Sequence, residues 1–417
     1  MKNWLILADD LTGAADCAIA YCRRGTEATV GWGTTFPSKE NRTQIFSFNT
    51  DGRELPSKDS AALQEKCLEN LWSEGVFLFC KIDSTLRGQP AAIIAQTAQF
   101  LKKKTGRGIG VLAPAFPATG RITKGGKIIV NGVPLESTEL WQRDHTYPTS
   151  DMKQIVEDAG LTAFVIGLDK LRSSEETLSQ YIAELENSAD YPVFIFDAET
   201  EEDLQRIASV FSRADASHFF IGSAGLAHAF AARCALAPRD AQTAVRMDGG
   251  VMIVVGSLAN ASRCAAKELL STRDVKHFPI SPELLLSGGA ELDEIANNIS
   301  QTLQNSGDIL VEITMGENID MSMGSQLAKN LSNVLKNVAP HLAGFAATGG
   351  ETASFLMDSF GINGIELSDE IEAGVSLGLT RGETKVPVAT KAGAFGDENS
   401  LVRIFDRLTL IRKEGKL

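Results

Sequence analysis

Strand-length apolar runs alternate with amphipathic stretches through almost all of this chain, and that rhythm constrains its fold more than any other feature. Trp4–Ala8 reads as a buried strand. The helix after it, from about Thr12, puts Ala14, Ala15, Ala18, Ile19 and Cys22 at helical spacing and ends at Gly25. The same reading predicts strands at 44–48, 76–82, 109–114, 163–167, 193–197 and 218–222, with helices near 58–73, 89–103, 174–187 and 200–213. Strands separated by helices define an α/β protein with largely parallel sheets. The stretch 115–150 breaks the rhythm. Its Gly, Pro and Thr content and the hairpin-like Lys127–Val130, Asn131-Gly132, Val133–Leu135 read as an elaborated loop.

Residues 236–250 are polar and broken by Pro238 and Gly249-Gly250, which makes them the linker. The pattern then restarts, with strands at 251–256, 276–279, 308–313 and 343–347 and helices near 260–271, 291–306 and 322–337. At 417 residues the chain exceeds one ordinary core. The expectation is two α/β domains, 1–235 and 250–417, each with a largely parallel or mixed sheet flanked by helices.

Composition removes several function classes. A formal charge of −13 repels nucleic acid, and the run Lys102-Lys103-Lys104 closes a helix, where cations suit the dipole. Six cysteines without C-x-x-C spacing and five scattered histidines give no zinc or dithiol pattern. The longest apolar runs, 76–80 and 251–255, fall far short of the roughly 20 residues of a membrane helix. The first residues lead into a strand rather than a signal-peptide core, so a cytoplasmic protein without a membrane partner is expected.

Ligands of open α/β sheets bind beyond the carboxyl ends of the strands. In Ala8-Asp9-Asp10-Leu11-Thr12-Gly13, two adjacent carboxylates follow a buried strand; they repel each other, lose hydration and need compensation. Substrate hydroxyls or a metal would supply it, whereas helix capping by Asp10 or Thr12 accounts for one acid only. Lys81-Ile82-Asp83-Ser84-Thr85-Leu86-Arg87-Gly88 packs two cations, a carboxylate and two hydroxyls into one turn. Such a set grips a carboxylate and its neighbouring hydroxyls, or closes on itself as an ion pair of Asp83 with Arg87 or Lys81. In the second half, Gly256-Ser257, Thr348-Gly349-Gly350-Glu351-Thr352 and Thr390-Lys391-Ala392-Gly393 are three glycine-bearing strand ends. Free amides at such turns suit phosphate. Neither common phosphate motif is present: Gly120 to Lys127 is one residue too long for a Walker A loop, and Asp9-Asp10 stand where a dinucleotide fingerprint would begin.

Six blocks, Ala8–Gly13 (ADDLTG), Lys81–Gly88 (KIDSTLRG), Ala113–Gly120 (APAFPATG), Gly222–Ala227 (GSAGLA), Thr348–Ala353 (TGGETA) and Thr390–Gly396 (TKAGAFG), resemble the four-carbon acid sugar kinase family in order and spacing. The resemblance implies an N-terminal substrate domain and a C-terminal nucleotide-binding domain. It also implies ATP-dependent phosphorylation of the terminal (C4) hydroxyl of D-threonate, with D-erythronate and 3-oxo-tetronate as alternatives. By motif, Asp9, Asp10, Arg53, Lys81, Ile82, Asp83 and Ser84 would contact the substrate; Ser257, Gly349, Gly350, Glu351, Thr352 and Gly393 would contact ATP. Glu351 departs from the family's usual Asp. Lys391 and Mg²⁺ would stabilise the transferring phosphoryl group, and Asp10 or Asp83 would take the hydroxyl proton. The metal ligands stay open. Closure of the two domains around both ligands is expected to exclude water; identical scattering profiles with and without substrate plus a nonhydrolysable ATP analogue would count against it. A homodimer is the default assembly. A nicotinamide-dependent oxidoreductase lacks its glycine fingerprint here, and a non-catalytic sugar-acid sensor leaves the glycine turns of the second half without purpose.

Overall fold

A computed structural model describes residues 3–34, 36–38, 42–236, 245, 248–257, 259–315, 323–391 and 396–417. They form two compact units, within 1–237 and 238–417. Most of the expected linker, 236–250, lies outside the described residues.

The strands of the first unit are β1 (Trp4–Ala8), β2 (Ala28–Trp32), β3 (Ile45–Asn49), β4 (Phe77–Lys81), β5 (Ile109–Ala113), β6 (Arg121–Lys124), β7 (Lys127–Val130), β8 (Val133–Pro134), β9 (Thr162–Ile166), β10 (Pro192–Phe196) and β11 (His218–Gly222). A parallel sheet runs β2-β3-β1-β4-β11-β5-β10-β9. Its strands are apolar on both sides because helices cover both faces. On one face Trp4 lies 5.0 Å from both Phe77 and Phe230, with Tyr21 from the helix Leu11–Cys22 beside it. On the other, Leu5, Leu7 and Leu78 pack with Leu68 and Leu71 of the helix Ser57–Leu71 and Ile94 and Leu101 of the helix Pro90–Thr105.

The chain leaves β1 toward β2 and β3, then returns to β4 on the other side of β1, so the β1–β4 crevice is the topological switch point. The strand ends are level there. Ala8 is opposite both Asn49 and Lys81, and Lys81 is opposite Gly222. Four loops therefore leave the sheet together.

The stretch read as a loop contains an antiparallel meander, β6-β7-β8. Its second turn is the expected Asn131-Gly132, with φ of 50° and 82°. Its first strand was not expected. The Asp197 carboxylate holds the first turn by accepting from the Gly125 amide at 2.7 Å and the Gly126 amide at 2.9 Å.

The second unit contains β12 (Gly250–Val255), β13 (Lys276–Ile280), β14 (Ile309–Ile313), β15 (Leu342–Thr348), β16 (Ile362–Glu372), β17 (Val375–Gly382) and β18 (Pro387–Lys391), ordered β13-β14-β12-β15-β18-β17-β16. The first five are parallel; β17 runs antiparallel to β18 and β16, so this sheet is mixed. Val255 is opposite Thr348, and Thr348 opposite Lys391, which brings the glycine-bearing ends to one edge. The helix Ser400–Glu414 lays Leu401, Ile404, Phe405 and Leu408 against this sheet's core.

Among the described residues no helix is long and apolar enough to cross a membrane. Cys17, Cys22, Cys67 and Cys80 are buried, whereas Cys264 is exposed. Burial pushes the Cys67 and Cys80 thiols up to about 12.

Candidate active site

Asp9 and Asp10 emerge from β1 at the switch point, and the chain itself compensates both. Asp10 is the N-cap of the helix Leu11–Cys22; its Oδ1 accepts from the Gly13 amide at 3.2 Å and its Oδ2 from the Thr12 hydroxyl at 2.7 Å. Asp9, only 3% exposed, takes a two-pronged grip from Arg53 on the loop after β3, Nε to Oδ2 at 3.1 Å and Nη2 to Oδ1 at 2.7 Å. Arg53 Nη2 also reaches Asp10 Oδ1 at 2.9 Å, and Lys81 Nζ lies 3.9 Å from the same atom. The expectation that substrate hydroxyls or a metal must compensate these acids is thereby corrected: Arg53 and Lys81 do so.

After β4, Asp83 closes on Arg87, which donates from Nε at 3.1 Å and Nη2 at 3.0 Å. The Thr85 amide donates to Asp83 Oδ2 at 3.0 Å, and the Thr85 hydroxyl donates to the same atom. Ile82 was expected to contact substrate, but its side chain lies in the core and its amide donates to the Gly222 carbonyl at 2.9 Å. Ser84 is half-buried on the same turn. The Asp83–Arg87 ion pair is one of the alternatives the sequence offered; the Thr12 hydroxyl as a donor to Asp10 was not foreseen.

Burial alone would raise Asp10, but Arg53, Lys81 and Thr12 outweigh it and hold the carboxyl below its ordinary range. Burial opposes Asp83 in the same way, and Arg87 and Arg53 hold it well below that range. Lys81 loses by burial and gains more from Asp10 and Asp9, so it stays charged. Asp10, Asp83 and Lys81 are therefore ions at neutral pH.

Gly13 is required by close approach. A Cβ there would collide with Asp10 Oδ1 and come within 2.6 Å of Lys81 Nζ. Gly13→Ala is expected to lower kcat/KM roughly 10²-fold by displacing these groups; an unchanged value in steady-state assays would show that they do not act as a set.

In the second unit the helix Gly350–Ser359 begins after Gly349 without any side-chain cap. Its first amides are thus exposed to a ligand. Glu351 lies in the first turn and Thr352 is buried. Gly256 permits the facing approach, since a Cβ there would overlap Thr352 Oγ1 and lie 2.8 Å from its Cγ2. Ser257 Oγ accepts from the Ala259 amide at 3.2 Å. Lys391, 1% exposed at the end of β18, gives its carbonyl to the Gly349 amide at 2.9 Å. Burial lowers its pKa and Glu372 opposes that shift. Gly393 lies outside the described residues.

Residues 4–230 match the sugar-binding N-terminal domain model and residues 252–401 the nucleotide-binding C-terminal domain model. The D-threonate kinase of Cupriavidus necator is 34% identical, with 98% of each chain covered. That of Salmonella typhimurium is 27% identical, with 95% of this chain and 96% of the relative covered. The solved structure of Haemophilus influenzae protein HI1011 shares the fold, with a TM-score of 0.75 at 19% identity, covering 98% of this chain and 100% of that one. By class, then, the protein is a sugar-acid kinase. The chain belongs to the four-carbon acid sugar kinase family.

Proposed function

We propose that this chain transfers the γ-phosphoryl group of ATP to the terminal (C4) hydroxyl of D-threonate. The carrying observation is the level set of strand ends at the β1–β4 crevice, which gathers Asp9, Asp10, Arg53, Lys81 and Asp83 into one prearranged ion cluster. Such a cluster offers both acceptors and donors to a polyhydroxy acid without reorganising. Similarity to D-threonate kinases supports the choice of acid.

In this reading Asp9, locked by Arg53, orients the substrate hydroxyls. Asp10 is better suited than Asp83 to receive the proton, because among the described residues Thr12 is the one side-chain donor on its Oδ2, whereas Arg87 and Thr85 cover both oxygens of Asp83. A depressed carboxyl is a weak base, which suits a loose transition state in which the hydroxyl proton leaves late.

The first amides of the helix that begins at Gly350, with Ser257, Thr352 and Lys391, would hold the nucleotide phosphates, while the Gly349 amide is engaged by the Lys391 carbonyl. Among the described residues, no three His, Cys, Asp or Glu side chains are grouped to hold a metal by themselves. Mg²⁺ bound to a nucleotide needs only one or two carboxylates beyond phosphate and water. Glu351, in the first turn beside Gly349-Gly350, fits that need. The ion would neutralise phosphate charge.

A coupled ADP-release assay across D- and L-threonate, D-erythronate and 3-oxo-tetronates tests the reading. The highest kcat/KM is expected for D-threonate. A higher value for another of these acids would replace the substrate, and turnover of none would remove the proposal.

A further inference from the structure

Asn49 ends β3 level with Ala8 of β1, and only one end of its side-chain amide is engaged. Oδ1 accepts from the Asp51 amide at 2.9 Å, which fixes the orientation of the group, because an N–H must face the oxygen. That bond holds Asp51 at φ 55°, a left-handed conformation that a short polar residue tolerates in a turn. The Thr50 amide and hydroxyl both donate to the Ala8 carbonyl, at 2.8 and 3.1 Å. The loop that carries Arg53 to Asp9 is thereby anchored. Nδ2, in contrast, is buried without an acceptor among the described residues, in a side chain only 2% exposed. A buried donor in that state costs stability. The turn alone does not require it, since a Ser or Asp oxygen would also accept from the Asp51 amide.

Register gives the direction of this amide. Ser47, two residues earlier on the same face, donates its hydroxyl to the Ala14 carbonyl at 2.9 Å, so this face of β3 meets the helix Leu11–Cys22. Two strand residues advance about 6.6 Å, or roughly four residues back along a helix that runs antiparallel to the strand. Asn49 thus lies abreast of Asp10. Lys81 faces the same helix, since its Nζ is 2.6 Å from where a Gly13 Cβ would stand. Ala8 is opposite both Asn49 and Lys81. A donor amide, a methyl and an ammonium therefore form one row across the crevice, beneath the helix end that Asp10 caps.

We propose that Asn49 Nδ2 donates a hydrogen bond to the C3 hydroxyl oxygen of the sugar acid, next to the C4 hydroxyl whose proton Asp10 receives. The inference rests on the sugar-acid kinase reading above. The substrate enters the row over the Ala8 methyl as the long Lys81 side chain gives way; its Nζ is 3.9 Å from Asp10 Oδ1, beyond hydrogen-bond length. The carboxylates of the cluster can only accept, so a hydroxyl that gives its proton to one of them still needs a donor for its own lone pair. The amide supplies that donor without altering the charge of the cluster.

The test compares kcat/KM for D-threonate with that for its 3-deoxy and 2-deoxy analogues in the wild type, Asn49→Asp and Asn49→Ser. Asn49→Asp keeps an acceptor for the Asp51 amide and replaces the donor by an oxygen. Its added charge weakens all three acids alike, so the ratio between them is the readout. The wild-type preference for D-threonate over the 3-deoxy analogue is expected to fall by about 10- to 100-fold in Asn49→Asp, with the ratio to the 2-deoxy analogue and KM for ATP unchanged. A 3-deoxy ratio that stays at the wild-type value would leave Asn49 as a turn-holding residue, its Nδ2 met by an ordered water, and overturn the inference. A fall confined to the 2-deoxy ratio would overturn the C3 assignment. If Asn49→Asp does not melt cooperatively, the uncharged Asn49→Ser decides by the same ratios. Wild-type turnover of D-threonate together with an unchanged ratio would leave the kinase reading standing. No turnover of any four-carbon acid would remove both.

Discussion

Arg53→Met is expected to abolish phosphorylation and to cost the first unit about 3–5 kcal/mol. Asp9 is 3% exposed and takes both arms of its ion pair from Arg53. Removing the guanidinium leaves a buried carboxylate whose desolvation nothing repays. Calorimetry should show a melting temperature lower by roughly 10 °C, taking about 2–4 °C per kcal/mol for a unit of this size. Asp9→Asn combined with Arg53→Met should recover much of the stability and none of the activity, since the buried charge is gone but the cluster stays incomplete. Wild-type melting of the single variant would mean that Asp9 does not depend on this pair. The pH dependence has a definite sign. Asp10 and Asp83 have folded pKa values below the unfolded value of about 3.9, so their stabilisation is fully present above that pH and is lost as pH falls through the lowered values. Acid unfolding of Arg53→Met should therefore begin at a higher pH than that of the wild type.

Lys391→Met should reduce kcat by on the order of 10³-fold with little loss of fold. The apolar stem persists, and the charge removed is one whose burial lowers its own pKa. The ammonium has to be charged to stabilise phosphate. Activity should therefore decline as pH rises through a pKa below the ordinary lysine value of about 10.4. Glu372 is the acid that resists this shift, and Arg403 holds it while gripping Asp397 at 2.6 Å. Glu372→Gln should move the alkaline limb of the kcat profile to lower pH, and Glu372→Asp should return part of it. A limb that stays in place in Glu372→Gln would disconnect Lys391 from that acid.

The central strands and the loops carrying chemistry were legible because a strand buried on both faces is an unbroken apolar run, and ligand-binding residues sit where such runs end. β2 escaped because Ala-Thr-Val-Gly-Trp has no such run; all five residues are nevertheless buried through pairing with β3. β16 escaped because Glu366, Asp369, Glu370 and Glu372 interrupt it, yet its pairing with β17 buries Ile365 and Leu367. In the site, residue types and the local pair of Asp83 with Arg87 could be read, but partnerships between distant segments could not. Arg53 is 44 positions from Asp9, and only the parallel alignment of β3 with β1 brings them together. Ile82 shows a related limit: its neighbours in the block face the crevice while its own side chain turns inward. The first strand of the meander, Arg121–Lys124, was not visible in the sequence, although the hairpin after it was.

The uneven burial of the thiols also gives a practical handle. Thiolate, not thiol, attacks a maleimide, so Cys67 and Cys80, pushed up to about 12, should stay unmodified in the folded protein. Cys264 is exposed, on the helix Asn260–Thr272 that follows the Gly256-Ser257 turn. A fluorophore attached there, with the half-buried Cys234 replaced, would give an optical signal for nucleotide arrival independent of turnover.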